Sequence, residues 1–246
     1  MPALNSESAK AQNDVEADVW SEWLLHHRHA GDPAYAQVVQ AVVEGYADRV
    51  LDGAHLVAGM TLVDVVATRA VLAYVADKKA ALGEFLRILK PGGRLSIAEP
   101  ILQDDAFYAG ALRKRVEAQS QPVDRLLTLL HRWKAAQFPD TQEACAQSPI
   151  ANYSERDLLN MVGSAGFAEI HLQLHIDVVP SLITTWDVFL GSSPHPWAPS
   201  LKQILGERFT PDERQFFERM VRPPVGSGKN TTTNRAVYLQ AQRPLS

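Results

Sequence analysis

Four groups of side chains are spaced in ways that chemistry could use. His26, His27 and His29 form the first. Only His26 and His29, three apart, share a helical face, and no third ligand stands nearby. The cluster falls short of a tetrahedral metal site and reads as solvated or partly buried histidines. The second group is Gly226-Ser227-Gly228-Lys229-Asn230-Thr231, which has the outline of a phosphate loop. Pro223 stands where that loop needs its first glycine and Asn230 where it needs Ser or Thr. It reads instead as a flexible loop ahead of the last strand. The third group closes two apolar runs: Thr68-Arg69-Ala70, with Tyr74 shortly after, and Glu99-Pro100. Ligands of open α/β sheets bind beyond the carboxyl ends of the strands, so Glu99 either faces a substrate or holds a turn. The fourth group is aromatic. Trp20, Trp23, Tyr35 and Tyr46 either cap a pocket or fill the apolar faces of two helices. No Ser–His–Asp or Cys–His arrangement has a supporting signature.

These residues need elements to position them, and periodicity supplies candidates. Residues 18–29 have helical spacing through Trp20, Trp23, Leu24 and His27. Gly31 resets the chain, and Asp32-Pro33 predicts a second helix, capped by Asp32 with Pro33 at its first position. The run 62–68 predicts a buried strand, 78–89 a helix, Lys90-Pro91-Gly92-Gly93 a turn, and 94–99 a second strand. Strand, helix, turn and strand make one crossover unit of a parallel sheet. Residues 104–147 are helical and of mixed polarity. Ser154 and Asp157 make a capping box opening a helix that Gly166 closes. Ile170, Leu172, Leu174, Ile176 and Val178 alternate along a strand at 169–179. Thr210-Pro211-Asp212-Glu213 starts a further helix, the proline-rich 193–199 separates the late elements, and 234–242 is a final strand.

Composition narrows the function. The 246 residues are 46% hydrophobic and 21% charged, ordinary for a soluble globular protein of one embellished domain. Twenty-four basic and 28 acidic side chains give a net charge of −4, which argues against a general nucleic-acid binder. The polar start of the chain lacks an apolar signal core, and no apolar run approaches the roughly 18 residues a membrane span needs. Cys145, the single cysteine, has no partner for a disulfide or a CxxC motif. A cytoplasmic protein is expected.

Three segments together resemble the class I S-adenosylmethionine-dependent methyltransferases. DVVATRAVLAYVADKKAALGEFLRILKPGGRLSIAEP (64–100) is similar to that family's fourth strand, a helix ending in an LKPGG turn, and its fifth strand. YSERDLLNMVGSAGFAEIHL (153–172) is similar to the helix and glycine–phenylalanine turn before the sixth strand, and NRAVYLQAQRP (234–244) to a closing seventh. The matching stretches cover less than a third of the chain. The resemblance implies an α/β fold: a shortened Rossmann-like, mostly parallel sheet with an antiparallel C-terminal hairpin and N-terminal plus inserted helices. It divides the chain into an N-terminal helical cap (1–58) and an α/β domain (59–246) with lid insertions at 104–147 and 181–222. It implies S-adenosylmethionine as cofactor, a small-molecule substrate, Thr68, Arg69, Ala70 and Tyr74 at the cofactor, and Glu99, Trp20 and Tyr46 at the substrate.

One part of the pattern is missing. In this family the first strand ends in a glycine-rich loop whose amides approach the cofactor, because side chains there would collide with it. A later acidic residue holds the ribose. Here GMTLVDV resembles the approach to that loop, yet Asp64-Val65-Val66-Ala67-Thr68 already resembles the fourth strand. Asp64 is then a residue at the entry of that strand. Two or three strand–helix units, roughly 50–75 residues at ordinary element lengths, are absent from the pattern. Weak binding of the cofactor is the expectation. Two functions follow: methyl transfer to a small molecule, or a non-catalytic protein that acts through a partner or by self-association of the shortened sheet as a homo-oligomer.

Overall fold

The computed structural model describes residues 18–57, 59–60, 64–121, 123–227 and 229–246. Four strands make one sheet in the order β1-β2-β4-β3: β1 (Val65–Arg69), β2 (Arg94–Pro100), β3 (Ala168–Pro180) and β4 (Thr231–Gln242). β1 and β2 are parallel, in register from Val65 opposite Arg94 to Arg69 opposite Ala98, and α3 (Lys78–Ile88) connects them as the crossover spacing predicts. β4 runs antiparallel to both β2 and β3. The expected strand at 62–68 begins at Val65 here; Leu62 and Val63 lie outside the described residues, as does Gly228 of the glycine-rich loop. The last strand starts at Thr231, three residues earlier than alternation alone suggests.

Alternation along β2 divides the core. Leu95 and Ile97 face the side where α3 and α7 (Glu155–Ser164) bring Leu82, Leu89, Leu158 and Val162, joined there by Val237 and Leu239 of β4. Ser96 and Ala98 face the other side, which α2 (Pro33–Ala54) covers. The Ser96 hydroxyl donates to the Val50 carbonyl at 2.7 Å, and Val50 packs with Ala98, Ala236 and Tyr238. The helix comes closest at Gly53, where a Cβ would lie 2.9 Å from Ser96 Oγ.

Local chemistry sets the element ends as expected. Asp32 caps α2, its carboxylate accepting from Tyr35 N at 2.8 Å, and Ser154 with Asp157 closes a capping box on α7. α10 (Pro211–Gly226) opens on a second such box, between Thr210 and Glu213. The LKPGG turn requires both glycines. Gly92 has φ +78°, and a Cβ on Gly93 would sit 2.8 Å from the Lys90 carbonyl oxygen and 3.2 Å from that of Asp64. Asp64, at the start of β1 and buried, pairs with Lys90 of the same turn. Gly93→Ala must therefore part the turn from the strand. A loss of about 1–2 kcal/mol is expected in denaturant unfolding, and an unchanged midpoint would mean that the two segments are not held this tightly.

Two regions depart from the sequence reading. Residues 18–29 are not one regular α-helix: α1 (Val19–Glu22) passes into a π-helical turn (Trp23–His27), and Ala30 and Gly31 take positive φ before α2. The proline-rich 193–199 is no bare spacer. Ser193 and His195 are buried, and Ser193 N donates to the His27 carbonyl at 2.9 Å. Trp23 Nε1 donates in turn to the Ser193 carbonyl at 3.2 Å, so this segment docks on the π-helical turn. The inserted helices α4 (Gln103–Glu117), α5 (Arg125–Ala135), α6 (Gln142–Gln147), α8 (Trp186–Gly191) and α9 (Leu201–Arg208) join α10 beside the sheet. Leu129, Leu201, Ile204, Phe209 and Phe217 form a second core among them.

Candidate active site

A cleft of about 450 Å³ opens at the carboxyl ends of β1 and β2. This is the edge at which open α/β sheets bind ligands, and the volume is in the ordinary range for small-molecule sites. Its floor is Arg69 and Ala70 at the end of β1 and Ala98, Glu99 and Pro100 at the end of β2. Tyr35 and Tyr46 of α2 form one wall, and Trp20, Trp23 and Arg28 close over it from the N-terminal turn. Ser193 and Arg235 complete the rim.

The floor is built by backbone geometry. The Ala70 N–H donates to the Ala98 carbonyl at 2.7 Å, extending the β1–β2 ladder by one bond. Ala70 itself has φ +50°, left-handed without being glycine. Such strain concentrates at sites that need a particular chain direction. Here it turns the chain into a 3₁₀ turn (Leu72–Tyr74). Glu99 secures that turn: its carboxylate accepts from Val71 N at 3.0 Å, Leu72 N at 3.1 Å and Ala73 N at 3.0 Å. Burial pushes the Glu99 pKa above the ordinary carboxylate value, while the three amides and the Lys78 ammonium oppose the rise. Both oxygens act only as acceptors, the arrangement of an ionised carboxylate. Glu99 is thus committed to positioning Tyr74 and its neighbours. Burial and the Glu99 charge push the Tyr74 hydroxyl up to about 12, so it stays protonated at neutral pH.

The sequence-derived residues converge, with one exception. Arg69, Ala70, Tyr74, Glu99, Trp20 and Tyr46 all line the cleft. Thr68 does not. It lies opposite Ile97, which faces α3, whereas Arg69 lies opposite Ala98 on the α2 side. Successive strand residues point to opposite faces, so Arg69 reaches the cleft and Thr68 turns away, its hydroxyl buried without a hydrogen-bond partner. Arg28, Ser193 and Arg235 escaped the sequence reading. Arg28 carried a legible signal, since it falls on the same helical stripe as Trp20 and Leu24, where a charge is out of place. His26 and His27 point to Glu22, at 4.0 and 3.5 Å. Among the described residues no group of three or more His, Cys, Asp or Glu could hold a metal ion, and no helix is long and apolar enough to cross a membrane.

The rings of the cleft pack edge to face. Trp20 meets Tyr74 at 4.7 Å between centroids and Trp23 at 6.4 Å. The Arg69 guanidinium carbon lies 5.0 Å from the Tyr46 ring centroid and that of Arg28 lies 5.7 Å from the Trp23 ring. Among the described residues of this lining no nucleophile and base stand together. It can bind, align and exclude water.

A family model described as a methyltransferase domain matches residues 34–97, from α2 through β1 and α3 into β2. This bears out the resemblance to class I methyltransferases. Among solved structures, a Bacillus halodurans protein described as a methyltransferase shares 16% identity over 74% of this chain and 70% of its own, with a TM-score of 0.33. A Thermotoga maritima S-adenosylmethionine-dependent methyltransferase, described as a possible histamine N-methyltransferase, shares 14% over 73% of this chain and 55% of its own, with a TM-score of 0.28. A phosphoethanolamine N-methyltransferase of Haemonchus contortus, solved with S-adenosyl-L-methionine, shares 12% over 74% of this chain and 33% of its own, also at 0.28. Superpositions this loose carry no argument of their own. The chain spans little more than half of the second structure and a third of the last. No match was found among curated proteins.

Proposed function

We propose that this chain, whose residues 34–97 match a methyltransferase domain, is an S-adenosylmethionine-dependent methyltransferase acting on a small molecule. The observation that carries the reading is the aromatic cleft at the carboxyl ends of the parallel pair β1–β2, in which six of the seven candidate residues meet. The donor, when bound, supplies an electrophilic methyl group on a sulfonium. The residues present fit it, since the aromatic walls suit a purine. Ala70 and Tyr74 are the candidates to hold it, and Trp20, Tyr46 and Arg69 to hold the acceptor, although the family resemblance alone gives Arg69 to the donor. Glu99 acts by positioning the 71–73 turn. With no acid–base pair in the lining, the contribution of these residues is alignment and exclusion of water, and the inserted helices serve as the lid that selects the acceptor.

Weak donor binding is expected, since Glu99, the one carboxylate among the described residues of the lining, is already bonded to three amides. Calorimetric titration with S-adenosylmethionine should give a dissociation constant well above the micromolar range. Methyl transfer should appear when isotopically labelled donor is incubated with a small-molecule panel. No binding at millimolar donor, with no demethylated donor formed, would sink this reading.

A second reading, a non-catalytic protein that self-associates, draws on a different observation. Among the described residues β1 has a partner on one side only, and Leu174, Ile176 and Val178 form an exposed row on β3, at 40, 55 and 66% exposure. Open edges and apolar rows favour association. Light scattering over a concentration series should show dimers or larger species under this reading, and a constant 27.1 kDa monomer would exclude it.

A further inference from the structure

We propose that Arg28 and Arg69 form an anion-binding pair in the cleft, and that the acceptor molecule is an aromatic or similarly flat carboxylate. This deepens the methyltransferase reading and rests on the cleft being its acceptor site. The cleft is basic within an acidic protein. Among the described residues three arginines line it against one carboxylate, Glu99, while the whole chain carries −4. Arg235 is balanced by Asp104 at 2.5 Å. Neither the Arg28 nor the Arg69 guanidinium has an ion pair or hydrogen bond to another described residue. Two further carboxylates are engaged elsewhere: Glu99 by amides and Asp32 by the start of α2.

Holding two such cations in one cleft, half-buried and without a counter-ion among the described residues, is unfavourable. Burial, and then Arg69, lower the pKa of Arg28. Each guanidinium faces a ring, Trp23 for Arg28 and Tyr46 for Arg69. A ring contact of this kind uses none of the N–H donors, and the planar fork of a guanidinium matches a carboxylate. The adjoining indole of Trp20 is apolar and flat, which suits an aromatic body behind the anion.

Calorimetry with indole acetate, indole acetamide and tryptamine separates charge from shape, because the three share a ring system and differ in charge. The acid should bind at least tenfold tighter than the amide or the amine, and more weakly as salt is raised. Arg28→Gln and Arg69→Gln should each weaken the acid at least tenfold while melting temperature holds, and Arg69→Lys should lose less than Arg69→Gln. Equal binding of all three, indifference to the arginine variants, or no binding at millimolar concentration would each overturn the proposal. So would binding of S-adenosylmethionine alone with the same arginine dependence, because the pair would then serve the carboxylate of the donor and methyl transfer would stand without it. Tight acid binding with neither donor binding nor methyl transfer would instead leave the anion pair standing and remove the methyltransferase reading.

Discussion

Replacing Glu99 by alanine is expected to lower folding stability by about 3–5 kcal/mol, a large share of the roughly 5–15 kcal/mol that holds a domain folded. The side chain is 1% exposed and accepts from three consecutive backbone amides. Alanine removes the acceptors and leaves the Leu72 and Ala73 amides, both on buried residues, without partners. Water cannot replace them unless the turn opens. Glu99→Gln keeps the volume but offers one oxygen where two served, and its amide N–H₂ must face an N–H. An intermediate loss of about 2 kcal/mol is expected. Denaturant unfolding measures both, and hydrogen exchange at residues 71–73 should quicken in step. A loss below about 1 kcal/mol for alanine would show that the turn does not depend on this carboxylate. Because Tyr74 follows directly, the same variants should also reshape the cleft.

Features set by neighbours in the chain were legible in the sequence. Asp32-Pro33, Ser154 with Asp157, and Thr210 with Glu213 mark helix starts, because each satisfies amides within one turn of itself. The crossover from β1 through α3 to β2 follows from periodicity and from the glycines of the LKPGG turn, and six cleft residues follow from strand ends and helix faces. Features set by distant contacts were not legible. Nothing local tells Thr68 from Arg69; one residue of register decides which of them faces the cleft. The π-helical turn at Trp23–His27 meets Ser193, 170 residues away from Trp23, so neither the irregular helix nor the burial of the proline-rich segment could be read from residues 18–29. The misplaced charge of Arg28 on its apolar stripe was legible, but not that the turn brings it into the same cleft as Arg69.

Lys78 gives the second large effect, and its sign is unusual. It is the first residue of α3 and only 4% exposed. Its ammonium donates to the Val75 and Pro149 carbonyls at 2.9 and 2.8 Å and lies 4.6 Å from the Tyr153 ring centroid. Burial pulls its pKa down from 10.5 to about 8, against the attraction of Glu99. In the unfolded chain the amine keeps its ordinary value. Below about pH 8 both states hold the proton, and the folded state carries the full cost of burying the charge. Between about pH 8 and 10.5 the unfolded chain still binds a proton that the folded protein has released, so stability rises with pH. The neutral amine keeps two N–H donors for the two carbonyls, so the bonds survive the titration. Tyr74, pushed up to about 12, titrates earlier in the unfolded chain and lowers stability only above about pH 10. The stability of the wild type relative to Lys78→Met, which cannot titrate, should therefore grow by about 2–3 kcal/mol from about pH 7 to pH 10. Denaturant unfolding of both proteins across that range measures the difference. A flat difference would mean that the Lys78 ammonium is as well solvated, or as well bonded, as it is in water, and that the contact joining α3 to the 149 loop titrates like a surface lysine.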